Sequence, residues 1–268
     1  KNSSIVFLRW VMLYYNIERN QMEIYYLDNS GFIVLFKQTA VVFDCWRFTD
    51  KQEDAMLEKG YLQMDVLAEK KRVYLCISHI HADHFNPRIF DVAEQLGNAV
   101  ILADADIPVP QQFMHKLLRA GDVFMDEYIE VNAWDSTDIG ISFQIRMEGK
   151  NIFHAGDLNY WHWKEESTPH EIAKAKSAFD YALDHMASSM AGGTDVAFFP
   201  IDPRMESDIE AGAREFVKRF SPKWLIPMHF SNNFSRIREC ILMDKDLTCQ
   251  IWVPERRGDH ILIETEGE

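Results

Sequence analysis

From Met22 onward, hydrophobic positions fall into short β-rich runs that predict strands over Glu23–Leu27, Phe32–Phe36 and Ala40–Asp44. The first two are separated by Asp28-Asn29-Ser30-Gly31, whose residue types favour a turn. Asp54–Glu69 has a loose helical pattern. Arg72–Ser78 is nearly continuous in apolar residues, as expected of a strand covered on both faces, and it runs straight into a cluster of histidines. A helix over Pro87–Leu96, with its proline in the first turn, and a strand over Ala99–Ala103 follow. The spacing then predicts a helix over Gln111–Arg119 closed by Gly121, and strands over Glu127–Ala133, Ile141–Glu148 and Asn151–Ala155.

The second half alternates. His170–Ser189 reads as a long amphipathic helix, Asp195–Pro200 as a strand, and Ser207–Phe220 as a helix with Ser207 at its N-cap. Lys223–Met228 is a predicted strand and Ser235–Met243 a helix, with Thr248–Val253 and His260–Glu264 as closing strands. Strand-rich stretches followed by βα units, once in each half, point to an α/β domain of two similar halves over residues 22–268. Residues 1–21 read as an N-terminal extension. Its apolar stretch Ile5–Tyr15, broken by Arg9, is too short to span a bilayer, so no membrane partner is expected.

Composition narrows the function. With 268 residues, 47% of them hydrophobic, the chain can bury a large core. A formal net charge of -14 argues against a nucleic-acid partner, because such binding neutralises phosphates with Lys and Arg. Cys45, Cys76, Cys240 and Cys249 form no CxxC pattern. They read as free thiols in a reducing, cytoplasmic compartment, with a ligand role for Cys45 as the alternative.

The chemistry concentrates in His79-Ile80-His81-Ala82-Asp83-His84, directly after the apolar Arg72–Ser78 run. Imidazole and carboxylate are ligands suited to zinc, manganese or iron. A tight loop at the mouth of a strand can turn His79 and His81 to one side and Asp83 and His84 to the other, which suits two adjacent cations.

That run resembles the HxHxDH signature of the metallo-β-lactamase superfamily. Ala155-Gly156-Asp157 is similar to the family's later Gly-Asp motif, and Pro227-Met228-His229 to its terminal histidine motif. The resemblance spans about Glu23 to His260, with the motifs in family order. It implies an α/β, four-layered αββα sandwich and two divalent metal ions, zinc first, with manganese or iron as alternatives. It implies metal ligation by His79, His81, Asp83, His84, Asp157 and His229, with Asp157 bridging. The family's further histidine, expected before a strand between these motifs, has no counterpart. Trp134-Asp135-Ser136-Thr137-Asp138-Ile139-Gly140 stands there, so either Asp135 or Asp138 substitutes, or water does.

Around these residues, His154 and Asp44 are candidates to orient ligands. Trp161-His162-Trp163 reads either as an aromatic wall carrying a proton donor, His162, or as core packing. Arg204 either meets an anionic substrate or lies on the surface. The expected activity is hydrolysis of a small ester, lactone or phosphodiester, with Asp83 and His162 as the catalytic side chains and a small molecule as partner. Within the superfamily, the ascorbate-6-phosphate lactonase-like branch is the nearest resemblance. The alternatives are a metal-dependent nuclease of the same fold and a non-catalytic metal-binding or sensory protein.

Overall fold

The structure is a computed structural model and describes residues 21–264. The extension read over residues 1–21 lies outside them, except Gln21, which already pairs with Glu264. Strands β1 (Gln21–Asp28), β2 (Gly31–Leu35), β3 (Thr39–Phe43), β4 (Arg72–Ile77), β5 (Ala99–Asp104), β6 (His115–Leu118) and β14 (His260–Glu264) form one sheet in the order β14-β1-β2-β3-β4-β5-β6. The second sheet has the order β13-β12-β11-β10-β9-β8-β7. Its strands are β7 (Val123–Met125), β8 (Ile129–Asp135), β9 (Ile141–Met147), β10 (Lys150–His154), β11 (Val196–Pro200), β12 (Trp224–Met228) and β13 (Gln250–Ile251). Pairing is parallel from β3 to β6 and from β10 to β13, and antiparallel elsewhere. Each sheet therefore has an antiparallel half and a parallel half, and the chain repeats that plan once.

The alternation of side chains along each strand builds the layers. In β4, Tyr74 and Cys76 pack into the core between the sheets, while Val73, Leu75 and Ile77 pack on the outer face. Between the sheets Phe32 and Phe43 of the first meet Phe198 of the second, with ring centroids 4.5 and 5.8 Å apart. Phe153 and Phe199 face the other way and meet Phe216 of a helix at 4.9 and 4.8 Å. Burying rings of this size stabilises the fold by roughly 1.5–3 kcal/mol each.

Helices α1 (Met64–Ala68) and α2 (Ile89–Leu96) cover the first sheet. Helices α3 (Pro169–Met190), α4 (Ala211–Phe220) and α5 (Phe234–Met243) belong with the second. In α3, Phe179, Ala182, Leu183, Met186 and Met190 are buried, a stripe at helical spacing. Its start is fixed by a capping box in which Glu171 N donates to Thr168 Oγ1 and Thr168 N donates to Glu171 Oε2. The expected four-layered α/β sandwich is the observed architecture.

Several local expectations are corrected. Gln111–Arg119 is not helical: His115–Leu118 pairs in parallel with Ile101–Asp104. Its Leu117 and Leu118 split between the outer and inner cores, a period of two hidden inside an i, i+4 pattern. Asp54–Glu69 resolves into a 3₁₀ turn, Leu57–Lys59, and the short α1, because Gly60 at φ 71 ends the turn. Ser207 caps nothing. Helix α4 starts at Ala211, behind Glu210, which makes no side-chain cap.

Candidate metal centre

The C-terminal ends of parallel strands gather loops from both sheets, the usual place for a site in α/β proteins. There Asp44 follows β3, Ser78-His79 follow β4, Asp157 follows β10, Asp202 follows β11 and His229 follows β12. All these side chains are buried.

Asp157 sits at the middle with its two oxygens aimed differently. Oδ2 lies 3.3 Å from His79 Nε2, and Oδ1 lies 3.1 Å from His84 Nε2 and 3.4 Å from His229 Nε2. Asp83 Oδ2 is 3.7 Å from His84 Nε2 and 3.8 Å from His229 Nε2. On the other side, His81 stands edge-on to His79 with centroids 4.7 Å apart. Three groupings bring ligand atoms within 4.8 Å of one another: His79, His84 and Asp157; Asp83, His84 and His229; and His81, Asp138 and Asp157. All six residues expected as ligands are thus brought together. Of the two substitutes for the missing histidine, Asp138 joins them. Asp135 ends β8, exposed and in none of the groupings.

Each buried imidazole is held through its other nitrogen. Ser78 Oγ lies 3.0 Å from His79 Nδ1. Asp44 Oδ2 takes His84 Nδ1 at 2.8 Å, and Asp44 also accepts from Ser78 N and Ser78 Oγ, both at 2.7 Å. Asp202 Oδ2 takes His229 Nδ1 at 3.0 Å. These contacts orient the Nε2 atoms toward Asp157, as carboxylates behind metal-bound histidines do.

The electrostatics follow from burial against charge. Burial opposes the charged form of His84, but the carboxylates of Asp157 and Asp44 outweigh it and push the imidazole up to about 10. Burial likewise opposes the charge on Asp157, and His84, His79 and His229 hold it well below the usual carboxylate range. His79 Nε2, His84 Nε2 and Asp157 Oδ1 are nonetheless buried without a hydrogen-bond partner. Orphaned buried polar atoms are rare in folded proteins, and three gathered at Asp157 form a donor set that fits cation binding.

Two glycines allow the loops to close. A Cβ at Gly156 would lie 2.6 Å from Ile141 O, and one at Gly140 only 2.2 Å from Ser78 O and 2.4 Å from His79 Cβ. Both also have positive φ, 54° and 78°, which disfavours any side chain.

His154 does not face the cluster as a ligand. It accepts from Gly156 N at 3.2 Å through Nδ1, contacts Ser30 O at 2.9 Å through Nε2, and stacks on Phe43. It therefore shapes the Gly156-Asp157 turn. His162, expected as a proton donor, is not brought to the site: it is buried, its Nε2 contacts Asp208 O at 3.1 Å and its Nδ1 accepts from Lys164 N at 3.2 Å. The flanking Trp161 and Trp163 do line the cavity, stacked 6.0 Å apart, so the wall is there without the expected donor. Cys45 packs in the outer core, where burial pushes its thiol up to about 12, unlike a metal-binding thiolate.

Sequence reasoning missed Asn29. Its Nδ2 donates to Asp83 Oδ2 at 3.0 Å and its Oδ1 accepts from Ser231 N at 3.3 Å, tying the β1–β2 turn to the Asp83 and His229 loops. Ser78 and Asp202 are further residues that the sequence reading does not mark; Asp202, like Asp44, is an acid just past the end of a strand, and that is the signal that could have found it.

No protein-family model matches the sequence, and no curated protein matches it. Among solved structures, the chain is similar to Igni18, a metallo hydrolase of the archaeon Ignicoccus hospitalis, with a TM-score of 0.62 and 18% identity, over 92% of this chain and 100% of that one. It is similar to YhfI of Bacillus subtilis, a metallo-beta-lactamase fold protein, with a TM-score of 0.60 and 12% identity, over 91% of this chain and 100% of that one. It is also similar to the short form of human tRNase Z, with a TM-score of 0.50 and 15% identity, over 91% and 99%. At such identities the likeness is one of fold, and the fold is the metallo-β-lactamase α/β sandwich.

Proposed function

We propose that this chain is a metal-dependent hydrolase of small esters, lactones or phosphodiesters, holding two divalent cations on either side of Asp157. The observation that carries this reading is the division of Asp157, whose Oδ2 faces His79 and whose Oδ1 faces His84 and His229. A carboxylate between two imidazole sets suits a shared ligand. His79 and His81 would hold one ion, and Asp83, His84 and His229 the other. Zinc, manganese and iron all accept these donors.

Two such ions supply Lewis acidity, polarising a carbonyl or phosphoryl group and making hydroxide available near neutral pH. The chain's own residues do the rest. Asp83 is half exposed and held by Asn29, so it faces the cavity from a fixed position and can accept a proton or orient the attacking nucleophile. Asp44, Ser78 and Asp202 keep the imidazoles aimed, so no reorganisation is needed as charge develops. Trp161 and Trp163 shield one side from water, and Trp161 Nε1 donates to Asp157 O at 2.9 Å, fixing wall to ligand.

The cavity over Asp157 is about 330 Å³, bordered by His81, Asp83, Thr137, Asp138 and Arg204. That volume suits a small molecule. With a net charge of -14 it favours a small ester, lactone or phosphodiester over a polynucleotide. A lactone comes first, on the resemblance of the HxHxDH loop to the ascorbate-6-phosphate lactonase-like branch. A cytoplasmic place for the protein is supported by four free cysteines, and no described helix is long and apolar enough to cross a membrane.

The test is metal content by mass spectrometry, followed by turnover on an ester, a lactone and a phosphodiester. Two equivalents are expected, with loss of metal in His81→Ala and Asp157→Ala. Less than one equivalent in the parent protein, unchanged by both substitutions, would reject the reading. Full occupancy with no turnover on the panel would turn it into a non-catalytic metal-binding protein.

A further inference from the structure

We infer that Asp138 is a ligand of the cation on the His79–His81 side, so that each ion is held by two imidazoles and two carboxylates. This rests on the two-cation reading above. On the Oδ1 side of Asp157 three side chains converge, Asp83, His84 and His229. On the Oδ2 side, among the six residues expected from the motifs, His79 faces the carboxylate and His81 stands beside His79 with ring centroids 4.7 Å apart. Asp138 completes that side, its carboxylate oxygen falling within 4.8 Å of a ligand atom of His81 and of Asp157.

The placement is built by the fold. The segment 136–140 is fastened at both ends to the ligand loops. Thr137 Oγ1 donates to Asn159 O at 2.6 Å and accepts from Asn159 N at 2.9 Å, which binds the segment to the turn just after Asp157. At the other end Ile141 N donates to Ser78 O at 3.0 Å, and Gly140 lies so close to Ser78 and His79 that a Cβ would collide with both. Asp138 is therefore strung between Asp157 and His79, and it borders the same cavity as His81 and Asp157. The buried His79 Nε2, which faces Asp157 Oδ2 and lacks a hydrogen-bond partner, supplies an independent sign that a ligand belongs between these loops.

The consequence is electrostatic and chemical. With Asp138 the site carries three carboxylates, Asp83, Asp138 and Asp157, against two divalent cations, leaving one net positive charge rather than two. A second carboxylate also makes this ion's donor set harder. It moves preference from zinc toward manganese or ferrous iron, where an imidazole in its place would favour zinc.

The test titrates metal-free protein with manganese and with zinc, reading stoichiometry by calorimetry and, with cobalt, the visible absorption of the bound ion. Asp138→Ala should lose one of two equivalents, or weaken it by at least about tenfold, the low end of what losing even an orienting partner costs. Asp138→His should keep both equivalents and shift the zinc-to-manganese affinity ratio toward zinc by at least about tenfold. Asp135→Ala should leave both numbers unchanged. Circular dichroism on each variant guards against misfolding, and a misfolded Asp138→Ala leaves the decision to Asp138→His. Two equivalents at parental affinity in Asp138→Ala, or an unchanged ratio in Asp138→His, would overturn the assignment. Absence of metal from the parent protein would instead sink the two-cation reading on which it rests.

Discussion

The two sheets solve the same problem with different degrees of closure. In each, a histidine at the end of one parallel strand is braced by an aspartate from the end of its neighbour: Asp44 after β3 holds His84 beyond β4, and Asp202 after β11 holds His229 after β12. Asp44 is completely buried and spends every contact inside the protein, on Ser78 N, Ser78 Oγ and His84 Nδ1. Asp202 is as buried, but shares its carboxylate with Arg204, whose side chain is 65% exposed and borders the cavity. One brace is sealed; the other is connected to whatever enters the cavity. The same device therefore serves rigidity on one side and leaves the other open to the cavity.

That contrast is sharpest under substitution. Asp44→Ala should have the largest effect, because it strands the buried His84 Nδ1 and Ser78 together. Loss of one partner of a buried pair costs about 3–5 kcal/mol, measurable by urea denaturation of the metal-free protein. Metal affinity should fall about 10–100-fold as well, since His84 loses its orientation. Asp202→Ala should cost less, about 1–3 kcal/mol, because the Arg204 side chain can turn to solvent, leaving His229 Nδ1 and the Arg204 backbone N–H short of a partner. Equal losses in the two variants would erase the distinction between the sheets.

The sequence made the candidate ligands easier to read than the braces. The apolar run of β4 followed by His79, His81, Asp83 and His84 is a local signal, and the two later motifs stand at the ends of predictable strands. Asn29, Ser78 and Asp202 act on residues 54, 1 and 27 positions away. Nothing in an Asp-Asn-Ser-Gly turn reveals that its asparagine will meet Asp83. His162 misled for the opposite reason. Two tryptophans beside a histidine look like a site wall, yet the strand of contacts that fixes the loop turns the imidazole inward to Asp208 O. In the fold, long periodic elements such as α3 and β9 were legible to within a residue or two. The 111–119 segment was not, because pairing with β5 overrode a helical spacing of apolar residues.

The smallest expected effect is at the open brace itself. Arg204 holds Asp202 through Nε and a second nitrogen and lines the cavity. If it meets an anionic group of the substrate, Arg204→Ala should raise KM for an anionic lactone or phosphodiester by about fivefold, the size of an exposed ion pair worth about 1 kcal/mol. KM for a neutral ester should change by less than about twofold, and the difference should shrink in high salt, because exposed charges are screened. An equal rise for neutral and anionic substrates would mean that Arg204 acts only by steadying Asp202 and His229. The second sheet's brace would then be as closed to the substrate as the first, and the contrast between the sheets would reduce to one of stability.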